Sequence, residues 1–95
     1  MLFRSALRDI SDQVTGFALA GPRAREILQK LIHAEITLPL LGCSTMDVGL
    51  IRARVARMSI TGELGYEINC TALEHATLRK ILLAAGEEFG LREFG

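Results

Sequence analysis

The chain has 95 residues, 49% hydrophobic and 23% charged, and its eleven basic side chains balance its eleven acidic ones. That composition argues against an intrinsically disordered chain, and the zero balance argues against a nucleic-acid module held by a broad basic face. The longest charge-free run, Ile36 to Met46, contains Pro39 and Gly42 and falls well short of the roughly 20 apolar residues that a membrane-spanning helix needs.

In chain order, Arg4 to Ile10 alternates in part and reads as a strand, though helix fits it too. Ser11 to Gln13 is polar and turn-like, and Thr15 to Ala20 is small and β-compatible, with Phe17 and Leu19 on one face. Gly21-Pro22 then changes the period, since proline fits the first turn of a helix, where its missing N–H is not needed. Ala24, Ile27, Leu28 and Leu31 follow at i, i+3, i+4 and i+7, which predicts a helix ending near Ile32–His33. Glu35 to Ser44 reads as a loop whose leucines, Leu38, Leu40 and Leu41, pack on a core.

Thr45 to Val48 reads as a short strand turned at Gly49. Ile51 to Ile60 alternates, with Ile51, Ala53 and Val55 facing one way and Arg52, Arg54 and Ala56 the other. Thr61 to Gly65 is expected to be a turn with two glycines, after which Tyr66, Ile68 and Cys70 alternate with Glu67 and Asn69. Thr71 and Glu74 have the spacing of a capping box, and Leu78, Ile81, Leu82, Ala85 and Phe89 form the stripe of a second helix closed by Gly90. The order β-β-α-β-β-β-α predicts an α+β sandwich over one domain, residues 1–95: an antiparallel sheet with two helices on one face. The stretch Leu91 to Gly95 lacks a natural close, so a piece of a larger domain is expected.

Catalytic signatures are scarce: no nucleophile elbow, phosphate-binding loop, dinucleotide fingerprint or zinc spacing is present. Cys43 and Cys70 read as free thiols. With Arg4, Arg8 and Asp9 close behind Met1, where a leader would be apolar, they point to a reducing, cytoplasmic setting. His33 and His75 read as surface residues; Tyr66 and the phenylalanines read as core. Glu67 is the most informative carboxylate. On a strand, pointing opposite to Tyr66 and Ile68, its two oxygens match the paired N–H donors of a planar amidine-like heterocycle. The plainer alternative is a solvated residue paired with Arg52, Arg54 or Arg57. Arg52 and Arg54 share a face and either meet an acidic ligand tail or line a solvated one.

Three stretches together carry a resemblance. Phe17 to Leu28 (FALAGPRAREIL), Arg57 to Ile68 (RMSITGELGYEI) and Leu83 to Gly95 (LAAGEEFGLREFG) resemble segments of the glycine-cleavage aminomethyltransferases, the second being the specific one. The variant Glu63 to Glu67 and the lead-in Met46 to Gly49 look closest to the folate-binding half of dimethylglycine and sarcosine dehydrogenases. The resemblance implies a tetrahydrofolate domain that moves a one-carbon unit, with two swapped β-α-β-α subdomains of which this chain is about one. It implies that Glu67 contacts the amino–imino edge of the pterin. It implies a tyrosine seven residues before that glutamate, where this chain has Ile60. The family's catalytic aspartate and folate-contacting arginine fall in segments before and after these residues, and flavin belongs to a separate domain of the dehydrogenase branch. A small methylated amine is then the parent's substrate, and the isolated chain is expected to be inactive and to form a homodimer. A non-catalytic interaction module associating through an exposed sheet edge is the alternative, and a folate-fold protein recruited to iron–sulfur assembly a third reading.

Overall fold

A computed structural model describes residues 5–10, 15–60 and 62–94. Six strands, β1 (Ala6–Asp9), β2 (Gly16–Ala20), β3 (Cys43–Val48), β4 (Ile51–Ile60), β5 (Glu63–Asn69) and β6 (Arg92–Phe94), form one sheet in the order β3-β4-β5-β2-β1-β6. Two helices, α1 (Ala24–Gln29) and α2 (His75–Gly86), complete the α+β arrangement. Neighbouring strands from β3 to β1 pair antiparallel, as expected. Arg92–Phe94, left without a structure by the sequence, adds a sixth strand that runs parallel to β1.

The register explains which face is buried. Leu7 lies opposite Leu19, Leu19 opposite Tyr66, Phe17 opposite Ile68, and Ile68 opposite Val55. Because side chains alternate across a strand, these residues share one face. They form a single core with Ala24, Ile27 and Leu28 of α1 and Leu78, Leu82 and Ala85 of α2. Both helices therefore cover the same face of the sheet.

Several local expectations are corrected. α1 stops at Gln29 rather than near Ile32–His33, because its end tightens into i→i+3 bonds from the amides of Lys30, Leu31 and Ile32. The Gln29 amide holds that end by donating to the carbonyls of Ile32 (3.0 Å) and Ala34 (2.8 Å), while its oxygen accepts from the Ile36 N–H. The start of α1 is capped from a distance: the Arg23 N–H donates to the hydroxyl of buried Ser5. Gly21 permits this approach, for at φ +125° a Cβ there would stand 2.5 Å from the Ser5 Cα. In the loop, Ile36 and Leu38 pack on the core, whereas Leu40 and Leu41 are exposed. The reason is backbone pairing: Leu41 donates to the Arg57 carbonyl and Arg57 to the Gly42 carbonyl, so this stretch runs along the edge of β4 instead of turning inward.

β3 begins at Cys43, two residues earlier than expected. The expected five-residue turn after β4 is also shorter, since β5 begins at Glu63, paired with Ile60. Thr61, like the expected turn at Ser11–Gln13, lies outside the described residues. The capping box is only partly made. The Glu74 N–H bonds to the Thr71 backbone carbonyl, not its hydroxyl, and that hydroxyl donates to the Glu74 carboxylate. A 3₁₀ turn, Ala72–Glu74, leads into α2 as a result. Gly90 does close the helical segment, at φ +71°, with the Leu91 N–H reaching back to the Gly86 carbonyl. Among the described residues no helix is long and apolar enough to cross a membrane.

Candidate functional site

Glu67 sits in the middle of β5, between β2 and β4, on the face of the sheet that carries neither helix. Its two cross-strand neighbours are Ala18 and Ala56. With Gly65 and Ala20 nearby on the same face, the carboxylate rises from a floor of small residues and is half-buried. Among the described residues no hydrogen bond or ion pair engages it.

The three arginines that offered a plain explanation for Glu67 are all committed elsewhere. Arg52 donates to Asp47 across β3 and β4 at 3.2 Å. The Arg54 guanidinium lies 3.2 Å from the Cys43 Sγ. Arg57 belongs to the other face, in register with Tyr66, and donates to the Leu38 carbonyl. Arg52 and Arg54 do share a face, but Arg52 is turned toward Asp47 and both side chains are exposed.

Asn69, two residues along β5 and on the same face as Glu67, was not picked out by sequence. Its amide nitrogen is buried and has no hydrogen-bond partner. A buried donor without an acceptor costs free energy until something supplies one. The floor of Ala18, Ala56 and Gly65 was also missed, because small residues in a strand look like weak β formers until the register brings them around one carboxylate. Ile60 ends β4, and its side chain lies outside the described part of the structure.

His75 is not a plain surface residue. Its ring stacks on Phe17 with centroids 4.5 Å apart, and its Nε2 stands 3.1 Å from the Asp9 carboxylate, so it ties α2 to β1 and β2. His33 is exposed, and Tyr66 and Phe17 are core as expected. Both cysteines are free thiols; burial and the nearby Glu74 carboxylate push the Cys70 thiol up.

Comparison with known proteins gives a consistent answer. A family model described as the GCVT N-terminal domain matches residues 3–95. The chain is 33% identical over 92 residues to a mitochondrial dimethylglycine dehydrogenase of Mus musculus, covering 94% of this chain and 11% of that protein. It is 34% identical over 88 residues to an aminomethyltransferase of Bacillus licheniformis, covering 90% of this chain and 24% of that protein. It is 34% identical over 94 residues to sarcosine oxidase subunit alpha of Rhizobium meliloti, covering 94% of this chain and 10% of that protein. The chain thus spans between a tenth and a quarter of the length of these relatives.

Proposed function

The chain belongs to the GCVT N-terminal domain family, an aminomethyltransferase-type domain of one-carbon enzymes, and from that premise we propose that it forms part of a tetrahydrofolate-binding domain. The parent is of aminomethyltransferase or of dimethylglycine/sarcosine dehydrogenase type, and a small methylated amine is the substrate class. The observation that carries the proposal is the isolation of Glu67: a half-buried carboxylate on a flat floor, with its neighbouring arginines turned to other partners. Such a group is ready to accept two N–H bonds from one planar edge. The residues present fit a pterin. Ala18 and Ala56 leave room for a ring against the sheet, Glu67 meets its amino–imino edge, and the orphaned Asn69 amide has a donor to offer an oxygen or ring nitrogen. When bound, tetrahydrofolate supplies the nitrogen that takes up or releases the one-carbon unit. The chain's own part is to orient that ring.

The test is tetrahydrofolate titration of the protein that carries this chain, wild type against Glu67→Gln. Losing a charge-assisted two-point contact should weaken binding by on the order of 1.5–3 kcal/mol, roughly ten- to a hundredfold. Unchanged affinity would refute the assignment. We also infer that the 95 residues alone give no turnover of methylamines or methylene-tetrahydrofolate, since their sequence carries no flavin fingerprint and no nucleophile elbow. Activity above background with the purified chain would overturn that. The free thiols support a reducing compartment, which we take to be the cytoplasm.

A further inference from the structure

We propose that a recess on the helix side of the sheet binds a small, doubly charged oxyanion of the phosphate class, independently of the Glu67 face. The recess holds about 230 Å³ and is walled by Arg25 of α1, Thr37 and Leu38 of the following loop, Arg57 of β4 and Tyr66 of β5. Among the described residues no carboxylate lines it. Arg25 donates to the Ile36 carbonyl at 2.7 Å and Arg57 to the Leu38 carbonyl at 3.2 Å, so the same loop fixes both guanidinium groups. Each guanidinium has five N–H donors, and one carbonyl apiece leaves most of them uncommitted. The Arg57 Nε is buried and has no acceptor among the described residues.

Two like charges in one recess repel each other, and an orphaned buried N–H is costly; one anion seated between them relieves both conditions. Both guanidinium groups wall the same recess beside the Tyr66 ring, and there burial raises the Tyr66 phenol against the smaller, opposing pull of Arg57 and Arg25. The Tyr66 hydroxyl, on an otherwise buried ring, then adds a neutral donor to the wall. Drug-sized ligands occupy pockets of roughly 300–1,000 Å³, so a recess of this volume suits a compact ion. A ligand here cannot touch Glu67: Arg57 pairs in register with Tyr66, whereas Glu67 pairs with Ala56, and successive residues point to opposite faces.

The experiment is a titration of the 95-residue chain with inorganic phosphate at fixed ionic strength, with chloride as the matched control, read on the arginine Nε–Hε resonances by NMR. Phosphate should move the Arg57 Nε signal saturably and chloride should not. Arg25→Gln, at an exposed position, should weaken phosphate binding about tenfold or more, while Glu67→Gln leaves it unchanged. Tyr66→Phe removes only the hydroxyl and should weaken binding by a smaller factor. It serves as the deciding variant if Arg25→Gln loses the dispersed spectrum of the folded chain. An equal response to chloride, a phosphate affinity indifferent to Arg25→Gln or, in its place, to Tyr66→Phe, or one sensitive to Glu67→Gln, would overturn the proposal.

Discussion

Cys43 and Cys70 share a side-chain type but not an environment. Cys43 is exposed on an edge strand, 3.2 Å from a guanidinium; Cys70 is half-buried, with its thiol raised by burial and by Glu74. The thiolate is the reactive form, so limiting iodoacetamide at pH 8 should label Cys43 first, as peptide mapping would show. Equal labelling would contradict this environment. The raised Cys70 value also carries a sign for stability. The neutral thiol is favoured in the folded chain, so its contribution is complete below the unfolded value of about 8.5 and is lost as pH rises through the higher folded value. Tyr66, raised as well, extends the loss above about pH 10. Urea midpoints should therefore fall on the alkaline side, and Cys70→Ser should flatten the first part of that fall. At this scale the sequence was partly legible. Glu67 stood out because it points opposite to Tyr66 and Ile68 on its strand, where its two oxygens match a pair of N–H donors. Asn69, Arg25 and Arg57 did not, because their meaning depends on which carbonyls they reach or fail to reach, and loop geometry decides that.

The helices and strands were the most legible level. Apolar spacing gave the stripe of α2, and its centre is a sensitive position: Leu82 is fully buried against the sheet. Leu82→Ala should cost about 2–5 kcal/mol by chemical denaturation, since removing its methyl groups leaves a cavity the rigid sheet cannot fill. A cost under about 1 kcal/mol would mean that α2 does not pack as described. Element ends were less legible because tertiary contacts set them. Gln29 and Ser5 close α1 at its two ends, and neither interaction follows from a local pattern. β6 was invisible for a related reason: three residues have no period, and what holds them is β1 on one side and a clamp from α2. In that clamp Arg79 grips both oxygens of Glu93, at 2.8 and 3.1 Å from its Nε. Arg79 keeps the Glu93 carboxyl below the usual carboxylate range. The clamp's contribution is thus present above the unfolded value of about 4.3 and is lost as pH falls through the lower folded one. Glu93→Gln should lower the hydrogen-exchange protection of Arg92–Phe94 at neutral pH while leaving β4 and β5 unchanged. Equal protection in both proteins would show that β1 pairing alone holds β6.

As a whole, the molecule is finished on one side and open on the other. The helices seal one face of the sheet, while the Glu67 face, with Ala6, Ala18, Ala20 and Ala56, carries no helix, and β3 and β6 form the two outer strands. Outer strands present unpaired N–H and C=O groups, and zero net charge offers little repulsion between copies. The isolated chain should therefore self-associate, with a two-fold dimer as the simplest closed form. Sedimentation equilibrium at micromolar concentration decides: a single species near 10.4 kDa throughout would contradict it.

The strand order also sets a sequence of events in time. β3, β4 and β5 form a meander joined by short turns, whereas β2 reaches β5 only after α1, the loop and two strands have intervened, and Ala6 meets Arg92 across almost the whole chain. Closing a longer loop costs more entropy, and distant pairings slow folding. Val55→Ala, inside the meander, should slow refolding in stopped-flow measurements, while Leu7→Ala on β1 should mainly speed unfolding. The reverse pattern would place the nucleus at β1 and β2. In the order expected here, Glu67 is in register with Ala56 before Ala18 arrives on its other side, so the floor beneath the carboxylate is laid in two steps and is complete only when β2 has reached β5 across the intervening helix, loop and strands.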